Sequence, residues 1–182
     1  MAREPALWTV GHGTLSADRL AGLLRDAGIG LLVDVRSMPA SRHNPHVARR
    51  QIEQWLPAAG VAYRWEPRLG GRRSVPADSP DAALENRAFA GYAAWMRTPE
   101  FAAAVDELLA EAATVRVAAM CAETLWWRCH RRMIADFVTI ARGGQVLHLR
   151  HDGGADPHRP TSGVRLRDDG LLVYDAGTLF AT

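Results

Sequence analysis

Three short apolar runs constrain the fold of this chain more than any other feature. They are Leu7–Val10, Leu31–Val35 and Val115–Met120. The second is apolar almost throughout, as are strands that parallel sheets bury on both faces. Ser16 is a good N-cap for a helix over residues 17–26, which lies between the first two runs. The order strand, helix, strand predicts a right-handed βαβ unit and an α/β fold.

The rest of the chain continues this alternation. We expect strands over residues 61–65 and 145–149, and helices over residues 47–56, 84–96, from Thr98 onward, and 125–141. Two alternating runs between Val164 and Tyr174 flank an Asp-Gly pair, which predicts a β-hairpin. The predicted fold class is therefore Rossmann-like α/β, with a mostly parallel open sheet flanked by helices and a C-terminal hairpin.

Length and composition bound the organisation of the chain. A sequence of 182 residues with 48% hydrophobic residues predicts a single domain over 1–182, with a core over about 7–150 and a hairpin extension over about 163–175. No apolar run approaches the roughly 20 residues that cross a bilayer, so we expect no membrane partner. Two cysteines and no export signal predict a cytoplasmic protein without a structural disulfide.

The basic residues are informative by type. All 22 of them are arginine and none is lysine. The lack of lysine excludes Schiff-base chemistry on a lysine and a phosphate-binding loop of the Walker type. Arginine binds phosphate and carboxylate groups through two parallel hydrogen bonds, so an anionic ligand is compatible with this composition.

Two motifs follow the first two predicted strands. Gly11-His12-Gly13-Thr14 places a tight turn before a helix N-terminus, where backbone N–H groups favour an anion. It lacks the third glycine of the dinucleotide-binding fingerprint, so a simple turn that carries His12 to the sheet edge is favoured. Asp34-Val35-Arg36 places opposite charges on one side of a buried strand, which fits a structural ion pair and a functional pair about equally well.

The block from Val115 to Arg132 is the richest in reactive side chains. It predicts a buried strand that ends at Cys121, with Glu123 two residues later. A thiol at a strand end that faces a helix N-terminus is typical of rhodaneses and cysteine-dependent phosphatases. However, Arg128 falls one residue too late for the Cys-x5-Arg phosphatase spacing. Glu123 could cap the helix, pair with Arg131 or transfer protons.

A metal site is a second interpretation of the same block. Its ligands would be Cys121, Cys129 and His130, with His12 or His158 as a further ligand. Against it, no Cys-x2-Cys pair is present, and neighbours on the predicted helix, such as Cys129 and His130, point about 100° apart. Our predicted site therefore includes no metal.

Together these residues resemble the domain of unknown function 488 (DUF488) family. The motifs that carry the resemblance are Gly11-His12-Gly13-Thr14, Asp34 to Arg42, Leu69-Gly70-Gly71, Phe89-Ala90-Gly91-Tyr92-Ala93, Cys121-Ala122-Glu123 and Cys129-His130-Arg131. The resemblance covers residues 8–148, with Gly13 where the family usually has serine. It implies a Rossmann-like fold with these motifs at the carboxyl edge of the sheet, and it implies no particular activity and no known cofactor.

Our leading hypothesis is an enzyme, a hydrolase or transferase, that binds an anionic ligand such as a nucleotide or a nucleic-acid end. The expected catalytic residues are His12, Cys121, Glu123 and His130. The expected ligand-binding residues are Asp34, Arg36, Ser41, Arg42, Gly70, Gly71, Arg72, Cys129 and Arg131. Two alternatives stay open: a metal- or redox-responsive DNA-binding regulator, and a rhodanese-like sulfur carrier that uses Cys121.

Overall fold

A computed structural model describes residues 4–176 of the chain. Eight strands are described there: β1 (Leu7–Gly11), β2 (Leu31–Asp34), β3 (Ala62–Trp65), β4 (Val117–Cys121), β5 (Val146–Leu149), β6 (Ala155–Pro157), β7 (Val164–Leu166) and β8 (Leu172–Tyr174). The α-helices in the same range are α1 (Ala17–Asp26), α2 (Arg49–Ala58), α3 (Arg87–Met96), α4 (Pro99–Ala112) and α5 (Arg131–Asp136). Short 3-10 turns cover Pro45–Val47, Pro67–Leu69 and Trp126–Arg128.

The main sheet positions the functional site. Within residues 4–176 its six strands lie in the order β3-β2-β4-β1-β5-β6, and β6 alone is antiparallel to its neighbour. Strands β7 and β8 form a separate antiparallel hairpin. The predicted α/β class, with a mostly parallel sheet and a C-terminal hairpin, is confirmed. Strand β4 lies between β1 and β2. The two strands of the predicted βαβ unit are therefore not neighbours in the sheet.

This strand order creates a switch point between β1 and β4. The chain leaves β1 through α1 toward β2, whereas it leaves β4 through α5 toward β5 on the opposite side. Adjacent strands whose connections diverge leave a crevice beyond their carboxyl ends, and open α/β sheets bind their ligands there. The fold alone therefore identifies the ends of β1 and β4 as the place to look for a site.

Helices cover both faces of the sheet. On one face, α1 and α2 bury Leu20, Leu24 and Ile52 against alternate strand residues such as Leu32. On the other face, α3, α4 and α5 pack their apolar side chains against the strand residues of opposite parity, such as Val33. Strands covered on both faces must be apolar throughout, which explains the continuous apolar runs of the sequence.

Several helix boundaries follow from local signals. Ser16 and Thr98 accept hydrogen bonds from Arg19 N and Phe101 N, as N-caps do, so the starts of α1 and α4 are confirmed. The helix predicted from residue 84 begins three residues later, at Arg87, because Asn86 caps it through Ala88 N. The predicted strand from Val115 to Met120 is shifted to Val117–Cys121.

The single helix predicted over residues 125–141 is wrong. The segment consists of a 3-10 turn at Trp126–Arg128, an extended residue at Cys129, the short α5 and a π-helical turn at Phe137–Ala141. Tryptophan and cysteine have modest helix propensity, and the contacts of Cys129 override the apolar spacing from which the helix was predicted. No helix among residues 4–176 is long and apolar enough to cross a membrane.

Buried hydrogen bonds join the β7–β8 hairpin to the rest of the domain. The Tyr174 hydroxyl donates to Asp136 Oδ2 at 3.0 Å, and Tyr174 N donates to Asp81 Oδ1 at 3.1 Å. Asp136 also contacts His158 Nε2 at 2.9 Å. Partners from the later part of the chain therefore occupy both carboxylate oxygens of Asp136.

Candidate functional site

The ends of β1 and β4 lie side by side. Gly11 is paired with Cys121, and the ladder continues beyond the strands, with His12 N donating to Cys121 O at 2.9 Å and Gly13 N donating to Ala122 O at 3.0 Å. A side chain at Gly11 cannot be accommodated, because its Cβ would lie 1.9 Å from Glu123 O. This close backbone approach brings the two sequence motifs, Gly-His-Gly-Thr and Cys-Ala-Glu, into one site.

A cavity of about 810 Å³ opens at this edge of the sheet. Nine of the thirteen predicted site residues line it: His12, Arg36, Ser41, Gly71, Arg72, Cys121, Glu123, Cys129 and His130. The volume falls within the range typical of small-molecule sites. The structure thus brings most of the predicted residues, which come from distant parts of the sequence, to one concave surface.

The two cysteines and His130 form a compact cluster on the cavity wall. His130 Nδ1 lies 3.6 Å from Cys129 Sγ and 3.9 Å from Cys121 Sγ, and the three atoms all lie within 4.8 Å of one another. The sequence argument against shared ligation assumed that Cys129 and His130 are helical neighbours. That premise is wrong: Cys129 is extended, with φ −124° and ψ 152°, and α5 begins only after His130. The turn directs both side chains toward Cys121.

The hydrogen-bond partners of His130 fix its tautomer. Its Nε2 lies 3.2 Å from the carbonyl oxygen of Val35, which can only accept, so the neutral ring carries its proton on Nε2. The lone pair of Nδ1 is then directed at the two sulfur atoms. Gly71 allows this arrangement, because a Cβ there would lie 2.7 Å from Nδ1. Tyr92 packs edge-on against the ring at 5.1 Å between centroids.

The two thiols have different surroundings. A hydrogen bond from Cys121, together with the charge of the nearby Arg131, lowers the pKa of Cys129 well below its usual value. The same hydrogen bond, together with burial, raises the pKa of Cys121. Deprotonation is therefore easier at Cys129 than at Cys121.

Arg131 lies beneath the cluster and does not line the cavity. It is 1% exposed, and its backbone N and its Nε each lie 3.5 Å from Cys129 Sγ. Its guanidinium also donates to Glu123 O and, at 3.4 Å, to Thr9 Oγ1. These contacts hold the loop after β4 against the start of α5. The geometry favours a positioning role for Arg131 over the predicted direct contact with a ligand.

A buried ion pair between Asp34 and Arg36 lies at another part of the cavity wall. Arg36 Nε and Nη2 donate to the two carboxylate oxygens of Asp34 at 2.8 and 2.6 Å, and the Tyr63 hydroxyl donates to Asp34 Oδ2 at 2.7 Å. Arg36 lines the cavity, whereas Asp34 is fully buried behind it. The pair is therefore a structural ion pair whose cationic member reaches the cavity.

His12 is held by protein partners at both ring nitrogens. Its Nε2 accepts from Arg36 Nη1 at 3.3 Å, so its Nδ1 carries the proton toward Gly13 O at 2.9 Å. Burial, together with the charge of Arg36, lowers the pKa of His12 to about 4. At neutral pH this imidazole is uncharged. These contacts favour orientation of Arg36 as the role of His12 over the predicted proton transfer.

Two further predicted ligand-binding residues do not line the cavity. Arg42 is exposed on the loop after β2, although its neighbours Ser41 and His43 line the cavity. Gly70 packs under the same loop, where a Cβ would lie 2.4 Å from Ser37 Oγ. Because Gly70 has no side chain, Ser37 Oγ has room to accept a hydrogen bond from Arg72 N at 3.1 Å.

Sequence reasoning missed part of the lining. Arg128 was not among the predicted site residues, yet it lines the cavity and, like Arg72, forms no salt bridge with any residue of the described range 4–176. The lining also includes Met38, Phe89 and Asn86. Phe89 belongs to one of the motifs shared with the DUF488 family, so it could have been predicted as a site residue. Asn86 gave no signal beyond its capping of α3.

Comparison with known proteins gives one match. The family described as "Domain of unknown function DUF488" matches residues 16–138. No curated protein and no solved structure matches the chain. The matched range contains Arg36, Gly71 and the whole Cys121–His130 cluster, and it begins after His12. Since this range covers more than half of the sequence, the chain belongs to the DUF488 family.

Proposed function

We propose that this protein is an enzyme, a transferase or hydrolase, that acts on a phosphate-bearing ligand in the cavity at the carboxyl edge of its sheet. The observation that carries the proposal is the charge of the lining. Arg72 and Arg128 line the cavity, and neither forms a salt bridge with an acidic residue of the described range. Arg36 adds a third guanidinium to the lining. Guanidinium groups recognise phosphate through paired hydrogen bonds.

The remaining lining fits a nucleotide-like ligand. Phe89 and the 64% exposed Met38 offer apolar surface on which a planar base could pack. Ser41 holds the loop after β2 by accepting from Asn44 N at 2.9 Å. A nucleoside monophosphate and a phosphorylated nucleic-acid end share this chemistry, so both are tested below.

Glu123 is the best group for proton transfer. It is the one carboxylate in the described lining, and its Oε1 accepts from Leu125 N at 3.1 Å, which fixes the side chain near the end of β4. An exposed carboxylate beside a cluster of sulfur and imidazole groups can accept or return a proton during transfer chemistry. His130 has its Nε2 engaged by Val35 O, and its Nδ1 faces the two sulfur atoms.

Isothermal titration calorimetry with the full chain tests the anion site. The probes are a nucleoside monophosphate, a 5′-phosphorylated dinucleotide and the unphosphorylated nucleoside. We expect binding that requires the phosphate, and Arg128→Gln and Arg72→Gln should each weaken it about 10–100-fold, because a charge-assisted hydrogen bond contributes roughly 1.5–3 kcal/mol.

Arg42→Gln is the matched control. It removes the same charge from the same surface region, but Arg42 does not line the cavity, so affinity should change less than twofold by our estimate for an exposed charge. Equal weakening by all three variants would show only general attraction to a basic surface. That outcome, or the lack of any phosphate-dependent binding, would overturn the proposed function.

A further inference from the structure

We propose that Cys121, Cys129 and His130 bind one Zn²⁺ or similar divalent transition-metal ion, with a fourth coordination position open to the cavity. The proposal goes beyond the proposed function and does not depend on phosphate binding. It assigns the cluster a specific ligand, whereas the anion site is formed by the arginines on the surrounding wall.

The distances in the cluster match tetrahedral zinc. Bonds of about 2.3 Å to sulfur and about 2.0–2.1 Å to nitrogen, at the tetrahedral angle, place the two ligand atoms about 3.6 Å apart. The observed distances from His130 Nδ1 are 3.6 Å to Cys129 Sγ and 3.9 Å to Cys121 Sγ. Both nitrogen–sulfur distances therefore fit one tetrahedral ion to within a few tenths of an ångström, and the two Sγ atoms lie within 4.8 Å of each other.

The surroundings of the cluster resemble the outer shell of a metal site. A zinc-binding imidazole usually donates its other N–H to a carbonyl or carboxylate group, and His130 Nε2 lies 3.2 Å from Val35 O. The N–H groups of Arg131 approach Cys129 Sγ at 3.5 Å, as donors to a metal-bound thiolate do. Two thiolates and a neutral imidazole would neutralise a divalent charge in this largely buried position.

The burial of the ligands indicates an open site. Cys129 and His130 are at least nine-tenths buried, whereas Cys121 is half-buried and all three residues line the cavity. Structural zinc sites surround the ion with four protein ligands, while catalytic sites supply three and leave one position to water or substrate. Three ligands beside a cavity that also contains Glu123 correspond to the catalytic type.

The donor set also restricts the metal. Two sulfur atoms and one imidazole favour Zn²⁺ over Mg²⁺ or Ca²⁺, which require oxygen ligands. The competing state is a Cys121–Cys129 disulfide, which forms only if a two-electron oxidant takes up the electrons and protons of the two free thiols. A reductant cleaves the disulfide but leaves thiolate–metal bonds intact, whereas a chelator removes only the metal, so the two states can be separated by experiment.

The test uses the full chain, reduced, freed of metal by chelation and then titrated with Zn²⁺. Bound metal is counted by mass spectrometry after gel filtration, and affinity is measured by competition with a chromophoric chelator. We expect one ion per chain. Cys121→Ser and Cys129→Ser should each lower the affinity by more than the roughly 10–100-fold that loss of an outer-shell partner causes. Co²⁺ should give thiolate charge-transfer and tetrahedral absorption bands.

His43→Ala is the matched control, since it removes an exposed imidazole of the same cavity that is not part of the cluster, and it should retain one ion per chain. Thiol labelling of the wild type, with and without Zn²⁺, provides a readout that needs no variant: the metal should slow labelling of both cysteines. Substoichiometric zinc, zinc retained equally by Cys129→Ser, or unchanged labelling would each overturn the proposal.

Discussion

The substitution Asp34→Asn tests whether the ion pair behind the cavity holds the site together. Asp34 is fully buried and Arg36 is 6% exposed. The carboxylate accepts from Arg36 N, Nε and Nη2, and from the Tyr63 hydroxyl. Asparagine keeps the shape but removes the charge and one acceptor atom. The guanidinium of Arg36 is then buried without a counterion.

The magnitude follows from this burial. Removal of one partner of a buried ion pair costs about 3–5 kcal/mol, because the remaining charge is uncompensated. For a chain of about 180 residues, 1 kcal/mol corresponds to a shift of about 2–4 °C in Tm, so Asp34→Asn should lower Tm by roughly 6–20 °C. The exposed pair Arg49–Glu53, with side chains 46% and 42% exposed, should contribute at most about 0.5 kcal/mol.

Chemical denaturation followed by circular dichroism measures both changes in the free energy of unfolding. Glu53→Gln is the matched control, since it makes the same carboxylate-to-amide change in an ion pair that water screens. If Asp34→Asn costs less than about 1 kcal/mol, or no more than Glu53→Gln, the buried pair does not stabilise this edge of the sheet.

Three further predictions concern the cluster, the histidines and the hairpin. Gly71→Ala places a Cβ 2.7 Å from His130 Nδ1 and should weaken zinc binding about 10–100-fold, whereas Gly22→Ala, which has open space, should not. Burial, together with the charges of His158 and Arg131, lowers the pKa of His148 to about 2. In the unfolded chain this imidazole binds a proton below about pH 6.5, whereas in the folded chain it stays neutral. The neutral His148 therefore destabilises the fold only as the pH falls below about 6.5, because the unfolded chain then gains a proton that the folded chain does not. His148→Gln should reduce the dependence of the unfolding free energy on pH by up to about 1.4 kcal/mol per pH unit between pH 6 and 4. Chemical denaturation at several pH values measures this change. Tyr174→Phe removes the hydrogen bond to Asp136 and should cost about 1–3 kcal/mol in the same assay; no change would mean that the hairpin is held by packing alone.

Local signals made much of the fold predictable. Ser16 and Thr98 cap the helices that the sequence assigned to them, and the apolar strands β2 and β4 follow from burial on both faces. The position of β4 between β1 and β2 could not be predicted, because strand order depends on how distant helices pack and not on any local pattern. Strand β6, three residues long, carries too little pattern to be recognised.

The site was predictable where side chains follow strand ends. His12 directly follows β1, Cys121 ends β4 and Arg36 lies two residues beyond β2, and all three line the cavity. The role of Arg131 was not predictable, because its burial beneath Cys129 depends on the break in the helix that helical spacing concealed. Arg128 belongs to the cavity for the same reason, since the 3-10 turn redirects its backbone.

We propose that this protein binds its ligand in the crevice between β1 and β4. Backbone NMR of the isotope-labelled full chain, titrated with a nucleoside monophosphate, tests it most directly because it identifies the contact surface without assuming an activity. We expect the largest shifts at the amides of His12, Gly13, Ala122 and Glu123, next to the cavity. Shifts confined to another surface, such as the edge strand β6, would contradict it.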